Sequence, residues 1–225
     1  NLTISDSGND IIINSDGNYH ISGTTTKHTV IVNDSVTATI TLNGANITSS
    51  TTAPILIGKD ASVKLLLSGI NTLTNSRQVE LRSKDSYDLC ALQTSDGTSL
   101  TISSFNGDNS VSGSLTAVGC SYGAGIGYRS TDSTKSSKIT VSGGTINTTA
   151  ANNYSSGILG GSINITGGNI TAVGKLASGI VSANKSKNDT ITINGGTVTA
   201  RGSDTGSGIE NNCPIIINGG TVTAS

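Results

Sequence analysis

Apolar and polar residues alternate in short runs along the whole chain, and towards its end the alternation is written four times in nearly the same letters. The phrases Ile139-Thr-Val-Ser-Gly-Gly-Thr-Ile146, Ile163-Asn-Ile-Thr-Gly-Gly-Asn-Ile170, Ile191-Thr-Ile-Asn-Gly-Gly-Thr-Val198 and Ile215-Ile-Ile-Asn-Gly-Gly-Thr-Val222 begin 24, 28 and 24 residues apart. Period-two alternation predicts strands with the Ile/Val side pointing inward. The paired glycines Gly143-Gly144, Gly167-Gly168, Gly195-Gly196 and Gly219-Gly220 sit between two such strands, where the chain must turn a tight corner. A third piece, Gly125-Ile126, Gly157-Ile158, Gly179-Ile180 and Gly208-Ile209, adds one more inward aliphatic to each repeat.

A step in the twenties is the period of a solenoid, whose units bury their apolar faces only by stacking on one another. The expected fold is therefore all-β, a right-handed parallel β-helix with about three strands per coil, the hand following the usual chirality of parallel crossovers. The first half repeats more loosely. Ile40-Thr-Leu-Asn-Gly-Ala-Asn-Ile47 and Leu65-Leu-Leu-Ser-Gly-Ile-Asn-Thr-Leu73 place their corners 25 residues apart, and Leu115-Thr-Ala-Val-Gly119 matches Ile170-Thr-Ala-Val-Gly174 after its first letter. With Ile11 to Ile13, Tyr19 to Ile21 and Val30 to Val32 as earlier inward runs, the chain makes roughly eight to ten coils. One domain over 1–225 is expected, with looser coils in 1–35 and regular ones in 36–225, since no Pro-rich or charged linker interrupts the pattern. Polar inserts such as Ser130 to Lys135 and Ala183 to Asp189 read as loops on one corner, and loops confined to one corner often form the working face.

Composition narrows the core. The chain has 29 Gly, two Pro, no Trp, one Phe (Phe105) and 3% aromatic residues, so the interior must be aliphatic, which suits a narrow β-helix. With a net charge of −1 and 12% charged residues, bulk electrostatics gives no case for nucleic acid or an anionic membrane. Two local basic clusters, Arg77, Arg82 and Lys84, and Arg129, Lys135 and Lys138, are solvated loop charges or a site for acidic sugars. No apolar run reaches the length of a membrane span, and no signal peptide is visible. Rare charge and rich Ser/Thr suit an extracellular protein, secreted or on the cell surface.

Cys90 and Cys120, about one coil apart, are open to two readings, a disulfide between neighbouring coils or buried small hydrophobes. Cys213 could join a neighbouring chain, and no Cys/His spacing suggests zinc. Nine Asn-x-Ser/Thr sequons are close to what chance gives in a chain this rich in Ser, Thr and Asn. The most suggestive surface is the outward side of the second strand: Thr145 and Asn147, Asn169 and Thr171, Thr197 and Thr199, Thr221 and Thr223. Stacked at about 4.8 Å they form a double file of hydroxyls and amides. Such a file is either an ordinary exposed strand face or a lattice that meets crystalline polysaccharide or ice, and Asn147 and Asn169 break the run of Thr that ice would favour.

The phrases Ala38-Thr-Ile-Thr-Leu-Asn-Gly-Ala-Asn-Ile-Thr-Ser49, Ser62-Val-Lys-Leu-Leu-Leu-Ser-Gly-Ile-Asn-Thr-Leu-Thr74, Tyr122-Gly-Ala-Gly-Ile-Gly127 and Ile191-Thr-Ile-Asn-Gly-Gly-Thr-Val-Thr-Ala200 resemble the carbohydrate-binding β-helix domain of clostridial cell-surface proteins, over most of the chain from about Val36 onward. The resemblance implies a pectate-lyase-like solenoid that binds plant cell-wall polysaccharides and can carry calcium. The available carboxylates, Asp85, Asp88, Asp96, Asp108 and Asp132, form no recognisable metal loop. Tyr122 and Tyr128, flanking Gly123 to Ile126, are the first choice for a sugar platform, with Arg129 beside them.

Catalysis is not expected. A glycosidase needs two carboxylates at a set separation and a lyase needs a base, and no acidic residue recurs at coil period. Arg129 with Asp132 is the one pair worth testing, and His20 and His28 read as surface residues. The reading is thus a non-catalytic adhesin module with a polysaccharide partner. The alternative is the protomer of an extracellular filament, in which the end near Ile215, Ile217 and Val222 stacks on the end near Leu2 and Ile4 of the next chain.

Overall fold

The computed structural model describes residues 1–77, 89–128, 136–151, 154–182, 189–211 and 214–225. Every regular element among them is a β-strand. Fifteen strands form one sheet and eight form another, and all pairings between these strands are parallel. Parallel partners cannot be joined by a tight hairpin, so the chain leaves each strand and returns one repeat later to lie beside it.

The larger sheet has two columns that meet at Thr37–Ser49. The first half of that strand pairs with Ser62–Ser68 and the second half with Ile70–Asn75. The first column continues through Ser99–Ser104, Lys138–Val141, Ser162–Ile165, Ile191–Ile193 and Ile215–Ile217. The second continues through Ser114–Gly119, Thr145–Ala150, Asn169–Val173, Thr197–Arg201 and Thr221–Ala224. The eight-stranded sheet is a third column, from Ile11–Ile13 to Ile209–Asn211, and carries the Gly-Ile pieces at Ile126, Ile158, Ile180 and Ile209 in register.

Within each column the same position of successive repeats is paired. In the first, Ile139, Ile163, Ile191 and Ile215 form one file and Val141, Ile165, Ile193 and Ile217 the next. A second-column file runs Leu115, Ile146, Ile170, Val198 and Val222. Up to Ile191, Ile193 and Val198 these residues, with Leu92, Ile126, Ile158 and Ile180 of the third column, belong to one aliphatic core, and Val222 packs against it. Each Ile, Leu or Val removed from water contributes about 1.5–3 kcal/mol. The side chains of Ile215–Ile217, at the edge of the first column, are exposed. Ile4 is buried, and Leu2 and Val222 are half-buried.

Corners are where the pattern is enforced. The second glycine of each Gly-Gly pair has positive φ, 87° at Gly144, 88° at Gly168, 82° at Gly196 and 87° at Gly220. A Cβ on Gly168 would also stand 2.8 Å from the Gly144 carbonyl oxygen. That corner therefore admits glycine alone. In the loosely repeating half, Gly44 and Gly69 take the same role with φ of 68° and 64°.

Carboxylates serve as clasps between repeats. Asp6 accepts the Thr26 N–H at 2.6 Å, Asp10 that of Thr29 at 2.9 Å, Asp16 that of Thr37 at 2.8 Å, Asp34 that of Lys59 at 2.7 Å and Asp96 that of Ser136 at 2.9 Å. Asp108 accepts the hydroxyls of Ser103 and Ser142, again one repeat apart, at 2.7 and 2.9 Å. Asn71 is a third kind of clasp. It stands in the inward file where the next repeat has Leu115, and it is buried. Its Oδ1 accepts from the Ala45 N–H at 2.9 Å, and its Nδ2 donates to the Ser68 and Ser114 carbonyls at 3.0 Å each.

A second, smaller cluster of Cys90, Ala124, Tyr128 and Leu159, with Val181 packed on it, lies outside the eight-stranded sheet. Leu159 and Val181 alternate with the inward Ile158 and Ile180, which puts them on the opposite face. Of the two readings open for Cys90 and Cys120, the buried one holds: both are buried and no disulfide joins them. Burial pushes the Cys120 thiol up to about 11. Cys213 lies outside the described residues.

Two outcomes follow from the clasps. Asn71→Ala strips one buried and two part-buried backbone groups of their partner and should lower unfolding stability by about 2–4 kcal/mol, measured by urea titration. The Asp6 carboxyl is held below its ordinary 3.8 chiefly by the Thr26 N–H, and that of Asp108 below 3.8 chiefly by the Ser103 hydroxyl. A depressed folded pKa gives stability that is present above the unfolded value and lost as pH falls through the folded one. The melting temperature should thus hold above about pH 5 and fall below about pH 4, and Asp108→Asn should flatten that fall.

Candidate functional site

Two surfaces carry chemistry, and they lie on the two columns of the larger sheet. On the second column Thr145, Asn169, Thr197 and Thr221 pair in one outward file, and Asn147, Thr171, Thr199 and Thr223 in the next. The second file runs back through Thr116, Thr72, Asn46 and Thr24. The first runs back through Ser114 to Ile70, whose side chain is 78% exposed. The Thr145 hydroxyl is already used, donating to the Val111 carbonyl at 3.0 Å.

The tyrosines fall differently from the sequence expectation. Tyr128 is fully buried in the second cluster and its hydroxyl donates to the Gly160 carbonyl at 3.1 Å, so it cannot be a sugar platform. Alternation along one strand does not reveal that a second cluster covers the outer face there. Tyr122 instead stacks on Tyr154, ring centroids 5.9 Å apart and 8° from parallel. Both residues sit with positive φ, 67° and 56°, at equivalent corners of neighbouring repeats. Each ring covers one face of the other, which leaves edges and the two outer faces for a ligand.

The metal expectation also changes. Asp96 and Asp108 are engaged as clasps, while Asp85, Asp88 and Asp132 lie outside the described residues, as does Arg129. Among the described residues no group of three or more His, Cys, Asp or Glu could hold a metal ion. Of the basic clusters, Arg77 donates to the Thr51 carbonyl and Lys138 is exposed; Arg82, Lys84 and Lys135 lie outside the described residues.

The outer side of the first column holds a cleft of about 680 Å³, lined by Gly97 to Ser99, Ser136 to Lys138, Ser162 to Asn164, Asp189, Thr190, Thr192 and Asn194. Alternation builds its floor. Lys138 and Ser162, paired in register, point out because Ile139 and Ile163 beside them point in, and Asn164 and Thr192 repeat the arrangement two residues on. An amide chain joins neighbouring repeats at the Gly-Gly side: Asn194 Nδ2 donates to Asn164 Oδ1 at 3.2 Å and Asn218 Nδ2 to Asn194 Oδ1 at 2.8 Å. At the opposite side Ser162 donates to Asp189 Oδ1 at 2.9 Å. Charge in the described lining is limited to Asp189 and Lys138, and the rest is hydroxyl, amide, backbone and one aliphatic. Such a surface can hydrogen-bond a polyhydroxylated ligand through many neutral donors and acceptors.

Sequence reasoning passed over this cleft because its residues come from four separated segments. A signal was present: in the sequence the inserts 130–135 and 183–189 each immediately precede a first-column strand, next to Ser137 and at Asp189.

No curated protein matches the chain. A solved structure titled as the polysaccharide lyase-like protein from C. thermocellum, a gadolinium derivative, superposes with a TM-score of 0.69 at 22% identity, covering 98% of this chain and 92% of that one. At that identity the likeness speaks to the fold. The family described as carbohydrate-binding domain-containing protein matches residues 7–225, and the chain belongs to that family.

Proposed function

We propose that the chain is a non-catalytic, extracellular polysaccharide-binding module that acts as an adhesin towards plant cell-wall glycans. Its two sheets are read as the walls of a right-handed parallel β-helix with about three strands per coil and roughly eight to ten coils. One observation carries the reading: the cleft on the first column, about 680 Å³, whose floor is a register-locked array of hydroxyls and amides. Family membership supports a carbohydrate as the partner.

The same cleft favours binding over hydrolysis. Hydrolysis by the common two-carboxylate route requires a pair of acids across the scissile bond, and Asp189 is the one carboxylate in the described lining. An extracellular setting is supported by the sparse charge and abundant Ser and Thr of the chain. Self-association is the second reading, favoured by the exposed Ile215, Ile216 and Ile217 side chains on a strand already paired in register with Ile191–Ile193.

Pull-down on insoluble cellulose and on cross-linked pectin, with and without calcium, tests the main reading. Wild type should be retained without releasing unsaturated sugar. A double change Asn164→Ala and Thr192→Ala should weaken retention about tenfold, the equivalent of one to two hydrogen bonds, whereas Thr171→Ala with Thr199→Ala should leave it unchanged. The reverse result would move the site to the second column. Sedimentation velocity on the same samples reads self-association directly.

A further inference from the structure

We propose that the cleft contains a built notch for the hydroxyl groups of a neutral sugar unit, formed by Asp189, Ser137 and Ser162. The proposal rests on the polysaccharide-binding reading and specifies where, and through which groups, a sugar is recognised.

Four buried side-chain oxygens among the described residues have no hydrogen-bond partner there, and two of them, Ser137 Oγ and Asp189 Oδ2, belong to residues lining this one cleft. Ser137 is 1% exposed and Asp189 7%. The other two, Thr94 Oγ1 and Asn211 Oδ1, lie outside the cleft lining, and a buried polar group such as Asn71 is fully engaged with three hydrogen bonds. A buried acceptor left without a donor costs about 1–3 kcal/mol. Two such groups in one cleft are therefore better explained by an occupant than by packing.

The register explains how the notch arises. Lys138 pairs with Ser162 and Ile163 with Ile191, so Ser137, Gly161 and Asp189 follow one another in the file just before the strands. Gly161 lies between them and packs closely, since a Cβ there would stand 2.9 Å from the Ser137 carbonyl oxygen. Ser162 fixes the carboxylate by donating to Oδ1 at 2.9 Å, leaving Oδ2 as the acceptor.

The chemistry of the occupant follows. Asp189 Oδ2 accepts a hydrogen bond, and Ser137 can donate or accept one. Both atoms are shielded from bulk water. A carboxylate-bearing sugar would set a second negative charge against Asp189 in a poorly solvated place, which is unfavourable. The notch thus favours neutral hexosyl or pentosyl units over uronates.

Calorimetric titration of the wild-type chain with cellohexaose, xylohexaose and hexagalacturonate tests this, with Ser137→Ala, Asp189→Asn and Asp189→Ala as variants and thermal unfolding run on each. Wild type should prefer a neutral oligosaccharide. Ser137→Ala should bind it about tenfold more weakly, the loss of one hydrogen bond in a desolvated site, while melting no lower than wild type, since it removes an unsatisfied buried group. Asp189→Asn should narrow the gap between neutral and uronic probes. Wild-type binding matched within twofold by Ser137→Ala and Asp189→Ala overturns the notch and leaves the polysaccharide reading standing. No binding of any probe by wild type, nor retention on cellulose or pectin, overturns that reading and the notch with it.

Discussion

The structure depends on one constraint: no repeat of this chain is thick enough to bury its own aliphatic face. A repeat contributes a few Ile, Val or Leu residues to the interior, and they leave water only when the next repeat lies on them in register. A slip of one residue would turn every such side chain outward, so the files Ile139 to Ile215 and Val141 to Ile217 lock the register of everything attached to them. Outward residues inherit that order. Lys138, Ser162, Asn164 and Thr192 form a floor because their inward neighbours are pinned.

Corners carry the second layer of control, and they use polar chemistry sparingly placed. Glycines with positive φ turn the chain at Gly144, Gly168, Gly196 and Gly220. Aspartates reach from one repeat to a backbone N–H or hydroxyl of the next, from Asp6 to Asp108. In a chain with 14 acidic residues, at least six are occupied in this way. This bears on function, because carboxylates used as clasps are not free to gather into a metal or catalytic centre. Asp189 departs from the pattern: one oxygen is clasped by Ser162, and the other is buried without a hydrogen-bond partner.

Two aromatic positions show how a local reading of a sequence misleads about a site. Tyr122 and Tyr128 flank a glycine-rich turn and look equivalent as letters. One is buried in a cluster outside the eight-stranded sheet, and the other stacks on Tyr154 from the next repeat. Both outcomes depend on contacts between residues about thirty positions apart. Asn71 is the same lesson in the core, an amide in an aliphatic file that the backbone of the flanking repeats requires.

The sequence by itself determined the strands, the three-strand repeat, the glycine corners and the in-register Thr and Asn files. Those features follow from alternation and backbone sterics, which act over a few residues and are repeated often enough to be read without coordinates. Only the tertiary structure decided which outward face holds a cleft, which tyrosine is buried, and that Ser162 reaches Asp189 in the next repeat. Such meetings depend on the lengths of the inserts and on side-chain packing between repeats, which set distances across the stack that no local pattern encodes.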